Sequence, residues 1–442
     1  MDGLVSGAGD LRGGVRIDSG QHAYGELIEA LREAPVRDLA WLLLSADLLS
    51  AARFPAPLAH FDGMRAAEAV SSPSVAPPSP SSSASPASSS APPLPAAVRS
   101  RSSESGRFGW SGRSGQCGTG ESVLHSRALH DWLLACDANP APLREFLSRG
   151  ESHRLGRYAE QLLHFALLHS PHFDLLAAGL QVRDARRGNM TLGECDFLLM
   201  RRADRQLLHW ELAVKLYLFV PPADAPATLG ERDVQFHWLG PNLADSLADK
   251  VARLLEHQLR LTTLDAARSA LPAVGPWLPQ VYLKGWLFHP LAQRGRLPQV
   301  VAETHGQGWW ATLEEWWASA QTAFPVPVVQ SDARGERAWA MLPRARWLAP
   351  ARVDDAHAFT LAAMHARIEA HWRERGVAEP LLIVALTRRT DAGDWFECDR
   401  GFIVPDYWAP RARHRIEELS ERADAAARRA LARSADDSAP SI

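Results

Sequence analysis

Lysine is nearly missing from this chain: of its 48 basic residues only Lys215, Lys250 and Lys284 are lysines, and the rest are arginines. The skew fits a GC-rich genome that writes Arg wherever either cation serves, so the surviving lysines are candidates for places where a planar guanidinium does not fit. Cysteine is scarce as well. Cys117, Cys136, Cys195 and Cys398 form no CxxC pair, so neither a zinc ribbon nor a disulfide framework is expected. No apolar run approaches the ~20 residues of a membrane span. The opening MDGLVSGAGD has neither the basic start nor the apolar centre of a secretory signal. A soluble cytoplasmic protein with reduced thiols and no membrane partner is therefore expected. Also missing are a GxxxxGK loop, a GxGxxG turn after a strand, an HExxH helix and a GxSxG elbow. Their absence weakens NTPase, dehydrogenase, zinc protease and hydrolase readings. The net charge of -3 argues against a chain that coats nucleic acid by bulk charge, while leaving room for a local basic groove.

What is present is a 442-residue chain, 46% hydrophobic, with all but three of its 16 Trp from Trp210 onward. That length suits two or three domains, and the C-terminal half should be densely packed or rich in binding surface. Residues 22–50 read as helix, with Leu39, Leu43, Leu44 and Leu48 at helical spacing. From 71 to 116 Pro, Ser and Ala dominate, a composition that cannot sustain a core, so this stretch reads as a disordered insert. It separates two helical parts, 1–70 and 117–151, of one N-terminal region.

The block from 152 to 290 alternates in a definite order. A helix is expected at 154–169, with Leu155, Tyr158, Leu162 and Phe165 on its apolar face. Strands follow at 173–183, 191–201 and 206–219, the last stopped by Pro221-Pro222. A helix with a polar start at Asn242 and Asp245 comes next, then a strand at 280–288. The order is α-β-β-β-α-β. Beyond it the pattern suggests a helix at 309–320, a strand near 338–348, a helix at 355–375, a hairpin turning through DAGD and a closing polar helix. Together they form a Trp-rich α+β region over 291–442.

The third strand carries the informative chemistry. Alternation puts Leu208, Trp210, Leu212, Val214 and Leu216 on one face, and His209, Glu211, Ala213, Lys215 and Tyr217 on the other. An acid and an amine inside so apolar a run are rarely buried unless paired or metal-bound. The second strand puts Glu194 and Asp196 on one face. If the two strands pair through the short RADR turn, their carboxylates converge. Converging carboxylates resist joint ionisation without a cation, and oxygen-only ligands favour Mg²⁺ or Mn²⁺.

With GECD on the second strand and WELAVK on the third, this α-β-β-β-α-β order resembles the core of the PD-(D/E)XK nucleases. The same block, with VRDLAWLLLSADLL, LPRARWLAP and RGFIVPDYW, also resembles a bacterial family known as domain of unknown function 1853, over most of the chain apart from the insert. The nuclease resemblance implies Asp196 and Glu211 as metal ligands, Lys215 as the catalytic lysine and Glu160 on the first helix as a further acid. The bound metal would polarise a scissile phosphate and make hydroxide available near neutral pH. The sequence departs from that pattern at one place: the superfamily sets its Lys two residues after the acid, whereas position 213 is Ala and Lys215 stands four after Glu211. The face is kept, but the Cα separation grows from about 7 to about 13 Å. Lys250 on the next helix is a second source of the amine.

Plainer readings stand beside these. Asp196 and Glu211 could form a buried ion pair with Lys215, Lys215 could snorkel from a strand, and Glu160 could be a solvated helix position. His209 reads as a packed core histidine. The paired tryptophans Trp309-Trp310 and Trp316-Trp317 read as core at helical spacing. The expected activity is a metal-dependent phosphodiesterase acting on nucleic acid. The alternative is a catalytically inactive relative that binds nucleic acid or a protein partner.

Overall fold

A computed structural model describes residues 19–61, 119–150, 154–222, 229–323, 337–388 and 393–437. The Pro/Ser-rich stretch 71–116 and Cys117 lie outside the described residues.

The N-terminal region supplies α1 (Ser19–Ala30), α2 (Ala34–Leu44), α3 (Thr119–Ala138) and α4 (Ala141–Ser148). The single helix expected over 22–50 is thus two. Pro35 opens α2 at a position where the ring costs no hydrogen bond, and Leu48 has left the helix to bond the Leu283 carbonyl through its N–H.

Next come α5 (Leu155–His169), β1 (Phe173–Asp184), β2 (Met190–Arg201), β3 (Leu207–Phe219), the short α6 (Glu231–Val234) and β4 (Trp238–Leu239), then α7 (Leu247–Glu256) and β5 (Trp277–Pro290). Apart from α6 and β4, this is the expected α-β-β-β-α-β order. β1 pairs with β2 and β2 with β3 antiparallel, whereas β3 and β5 run parallel from Leu207↔Trp277 to Leu218↔Phe288. Parallel neighbours need a crossover, and α7 lies in it. Ser246 caps α7, its Oγ accepting from Asp249 N at 3.0 Å, so the helix starts later than Asn242.

The C-terminal half extends the same sheet. Its elements are β6 (Gly306–Thr312), α8 (Leu313–Ala323), β7 (Arg337–Leu342), β8 (Arg352–Val353), α9 (Leu361–Arg375), β9 (Leu381–Arg388), β10 (Trp395–Val404) and α10 (Trp408–Asp437). The strand order is β1-β2-β3-β5-β6-β10-β9-β7, with β4 and β8 beside the main path. The expected hairpin is β9–β10.

The helix expected at 309–320 is a correction. Trp309 and Trp310 belong to β6, and the helix begins only at Leu313. The cause is a capping box in TLEE: Thr312 Oγ1 accepts from Glu315 N at 3.2 Å while Glu315 Oε2 accepts from Thr312 N at 2.8 Å. Trp309, Trp310 and Trp316 are nevertheless buried as core.

Helices cover the sheet. Residues of α2, α3 and α5 pack with Leu208, Trp210, Leu212 and Val214. Leu247 and Leu254 of α7 pack with Tyr217, Phe219 and Leu283. Far along the sheet, α10 covers Phe402 and Val404, and α8 and α9 cover Ile383 and Ile403.

One buried polar hub ties distant segments together. Arg400 is 1% exposed, and its guanidinium bonds the carbonyls of Trp347 at 3.0 Å and Ala349 at 2.9 Å, pairs with Glu397 and lies 3.8 Å over Trp286. Asp38 of α2 accepts from Ala349 N at 3.1 Å and from the Tyr158 hydroxyl at 2.9 Å. The segments VRDLAW, LPRARWLAP and RGFIV therefore meet at one place. Among the described residues no helix is long and apolar enough to cross a membrane.

Candidate active site at the fork of the sheet

β2 and β3 pair only from Met200↔Leu207 to Phe197↔Trp210. Beyond that point β2 stays with β1 and β3 stays with β5, so the sheet forks at Asp196 and Glu211. Each backbone N–H that points into the fork needs another partner. Leu212 N finds one in Asp196 Oδ2 at 2.8 Å, which stitches the two strands together at the crotch.

Glu211 is fully buried on the polar face of β3. Its Oε1 lies 2.8 Å from His209 Nε2, and its Oε2 accepts from Gln258 Nε2 at 2.5 Å. The buried Nδ1 of His209 has no hydrogen-bond partner among the described residues. Gln258 Oε1 in turn accepts from Lys250 Nζ at 2.9 Å. Lys250, Gln258, Glu211 and His209 thus form one hydrogen-bonded chain along the floor of the fork.

Lys215 is not brought to Glu211. Its ammonium bonds Asp245 Oδ2, and the Tyr217 hydroxyl lies 3.4 Å from the same oxygen. Asp245 sits in the turn before α7, where Leu243 adopts a left-handed φ of 59°, a strained conformation for a bulky residue. Glu160 projects from α5 to the other side of the fork. Arg157 holds it at 2.6 Å and reaches Glu194 on β2 at 3.2 Å, joining helix to strand.

Among the described residues, Arg157 pairs with Glu160 and Glu194, and Lys250 reaches Glu211 through Gln258. Burial and the nearby Glu211 and Glu160 push Asp196 up to about 8. Glu160 is raised by burial, with Glu194 and Glu211 adding to it against Arg157. Burial, then the neighbouring Lys215, pulls Lys250 down to about 8 against the opposing pull of Glu211, Asp196 and Asp245. Cys195, buried beside these acids, is pushed up to about 12, chiefly by desolvation, which keeps it in the thiol form.

The structure gathers Asp196, Glu211 and Glu160 about the fork and directs Lys215 elsewhere. Arg157, Asp245 and Gln258 were not anticipated. Gln258 follows α7 in an ordinary-looking LLEHQLR run, and nothing in its sequence context marks it. The Arg157–Glu160 spacing was a visible helical i,i+3 pair, but its second contact to Glu194 is tertiary.

A family model described as Domain of unknown function (DUF1853) matches residues 37–404. The chain belongs to that family. The DUF1853 match spans β1 to β10 and contains both the fork and the Arg400 hub. No curated protein matches the chain, and no solved structure does.

As for a metal, no group of three or more His, Cys, Asp or Glu side chains is gathered to hold one among the described residues. Mg²⁺ and Mn²⁺ ask for less: one or two carboxylates, with water and substrate phosphate completing the shell. In this DUF1853 chain Asp196 keeps Oδ1 outside its bond to Leu212 N and would be the open ligand, whereas both Glu211 oxygens bond protein groups and one would have to leave its partner to be the second.

Proposed function

We propose that the fork is a divalent-cation-dependent phosphodiester-hydrolysing site acting on nucleic acid. The observation behind this reading is the convergence of acids at the fork, where burial and the neighbouring Glu211 and Glu160 push Asp196 up to about 8. Asp196 and Glu211 would hold Mg²⁺ or Mn²⁺, which when bound supplies Lewis acidity and hydroxide near neutral pH. Glu160 adds negative charge beside them. The α-β-β-β-α-β order and the placement of both acids where β2 and β3 part agree with a PD-(D/E)XK-like core.

Lys250 is the amine this site offers. Its hydrogen bond to Gln258 keeps it oriented toward Glu211, and its lowered affinity for protons suits it to exchange one near neutral pH. Lys215 acts on it through charge, because a second ammonium nearby disfavours protonation of Lys250. The three described thiols are all free, which fits a reducing cytoplasm.

A second reading has its own support. Both Glu211 oxygens are engaged by protein groups, and Lys215 is held by Asp245. Both features suit an inactive relative that binds nucleic acid or a protein partner. Calorimetric titration with Mn²⁺, paired with cleavage assays on DNA and RNA, separates the two. Heat with the wild type and none with Asp196→Asn, together with Mn²⁺-dependent cleavage, supports the phosphodiesterase. Equal heat in both proteins removes the metal site, and cation binding without cleavage of either nucleic acid selects the inactive reading.

A further inference from the structure

Past the fork, Met190–Cys195 of β2 pair only with β1, and β1 is the edge of the sheet. This hairpin stands clear of β3. Six residues separate Met190 from Asp196, about 20 Å at about 3.3 Å per residue. It is not a loose loop. Val182 and Cys195 are buried with Leu261 and Ala267 of the 3-10 turns that follow α7. Gly193 admits that contact, since a Cβ there would meet Leu261 at 2.8 Å.

The hairpin is basic within an acidic chain. Residues 183–192 hold three Arg and one Asp, against a net charge of -3 for the whole sequence. Arg183, Arg186 and Arg187 are all exposed. Arg183 hydrogen-bonds the amide oxygen of Gln181 at 2.7 Å rather than an acid. The single acid, Asp184, is occupied in the turn, accepting from Arg186 N at 3.0 Å and lying 3.6 Å from Arg187. α7 carries Lys250 and Arg253 beside Asp249 and Glu256 and has no net charge, and Asp245 before it is paired with Lys215. The hairpin tip, with three Arg against one Asp, is thus the side that attracts a polyanion.

We propose that the β1–β2 hairpin is an arm that binds a phosphodiester backbone through Arg183, Arg186 and Arg187 and leads it to the fork, an inference that rests on the phosphodiesterase reading of that site. Guanidinium groups match phosphate oxygens in planar pairs. An arm of about 20 Å spans about six nucleotide steps at about 3.4 Å each. It contacts phosphates several steps from the one at Asp196 and carries no base preference.

The test is fluorescence anisotropy on the full chain in EDTA, where no cleavage occurs, using labelled single-stranded DNA and RNA long enough to span the arm. The triple variant Arg183→Ala, Arg186→Ala, Arg187→Ala should bind about tenfold more weakly. The slope of log Kd against log salt should fall by about 2, at about 0.7 per lost phosphate contact. The triple Lys variant, which keeps the charge, should retain most of the slope, and circular dichroism checks that all variants fold. An unchanged slope and Kd in the Ala variant, or no binding of either strand by the wild type, overturns the arm. So does displacement by polyglutamate as effective as by unlabelled strand, which would assign the hairpin to an acidic protein. Binding in EDTA without metal-dependent cleavage keeps the arm and removes the phosphodiesterase. Cleavage with an unchanged Ala variant does the reverse.

Discussion

Lys215 bonds Asp245 although its side chain leaves β3 on the same face as Glu211. Four residues along a strand are about 13 Å, and the turn before α7 offers a carboxylate closer at hand. Glu211 takes its cation indirectly, from Lys250 through Gln258.

The two lysines should therefore separate in function. Lys215→Arg should keep at least about a fifth of any Mn²⁺-dependent cleavage, since a partly exposed ion pair with Asp245 contributes only about 1 kcal/mol or less. Lys250→Met should lose about 100-fold. Lys250 has a folded pKa of about 8, below the ~10.4 of an unfolded lysine. The unfolded state thus binds more protons between those values, and stability rises with pH across that window. Below it the buried ammonium is a liability, so Lys250→Met at pH 7 should melt no lower than the wild type. Equal cleavage by Lys250→Met and wild type would remove Lys250 from the site.

Asp196 has the opposite sign. Its folded value of about 8 lies above the ~3.9 of an unfolded Asp, so the folded state holds the extra proton between them. Stability is then full below about 4 and falls as pH rises to about 8. Asp196→Asn should flatten that decline in urea midpoints, gaining on the wild type at alkaline pH. Uptake of Mn²⁺ near pH 7 should release close to one proton, visible as a dependence of calorimetric heat on buffer ionisation enthalpy. Heat independent of buffer would show Asp196 already ionised.

Glu160 raises Asp196 by charge. Replacing it with Gln keeps the shape and removes the charge, so the Asp196 carboxyl should titrate at lower pH when followed by carbon NMR. An unmoved Asp196 titration would place Glu160 outside the electrostatic field of the fork.

The Arg400 hub makes a prediction about the fold alone. Arg400→Met leaves the Glu397 carboxylate buried without its guanidinium and should cost about 3–5 kcal/mol in urea unfolding. Arg400→Lys should not rescue it, because a single ammonium cannot reproduce the planar fork that bonds Glu397 and the Trp347 and Ala349 carbonyls together. Wild-type stability in either variant would show the hub to be dispensable.

Alternation alone placed Glu211 and Lys215 on one face of β3, because successive strand side chains point to opposite sides whatever the neighbours do. Hydrophobic period likewise marked α5, β1, β2, β3 and β5, whose apolar runs are long and regular. It misplaced the start of α8, where two adjacent Trp satisfied a helical and a strand pattern equally and the capping box in TLEE went unread. Which acids and amines stand on which strand could be read along the chain, since that is local geometry. That β2 and β3 part at Asp196, that Gln258 carries Lys250 to Glu211, that Asp245 takes Lys215 and that β6 to β10 extend the same sheet emerged from packing. Each of these depends on where segments far apart in sequence are brought together, and a side chain bonds the partner packing puts in reach, which no period along the chain records.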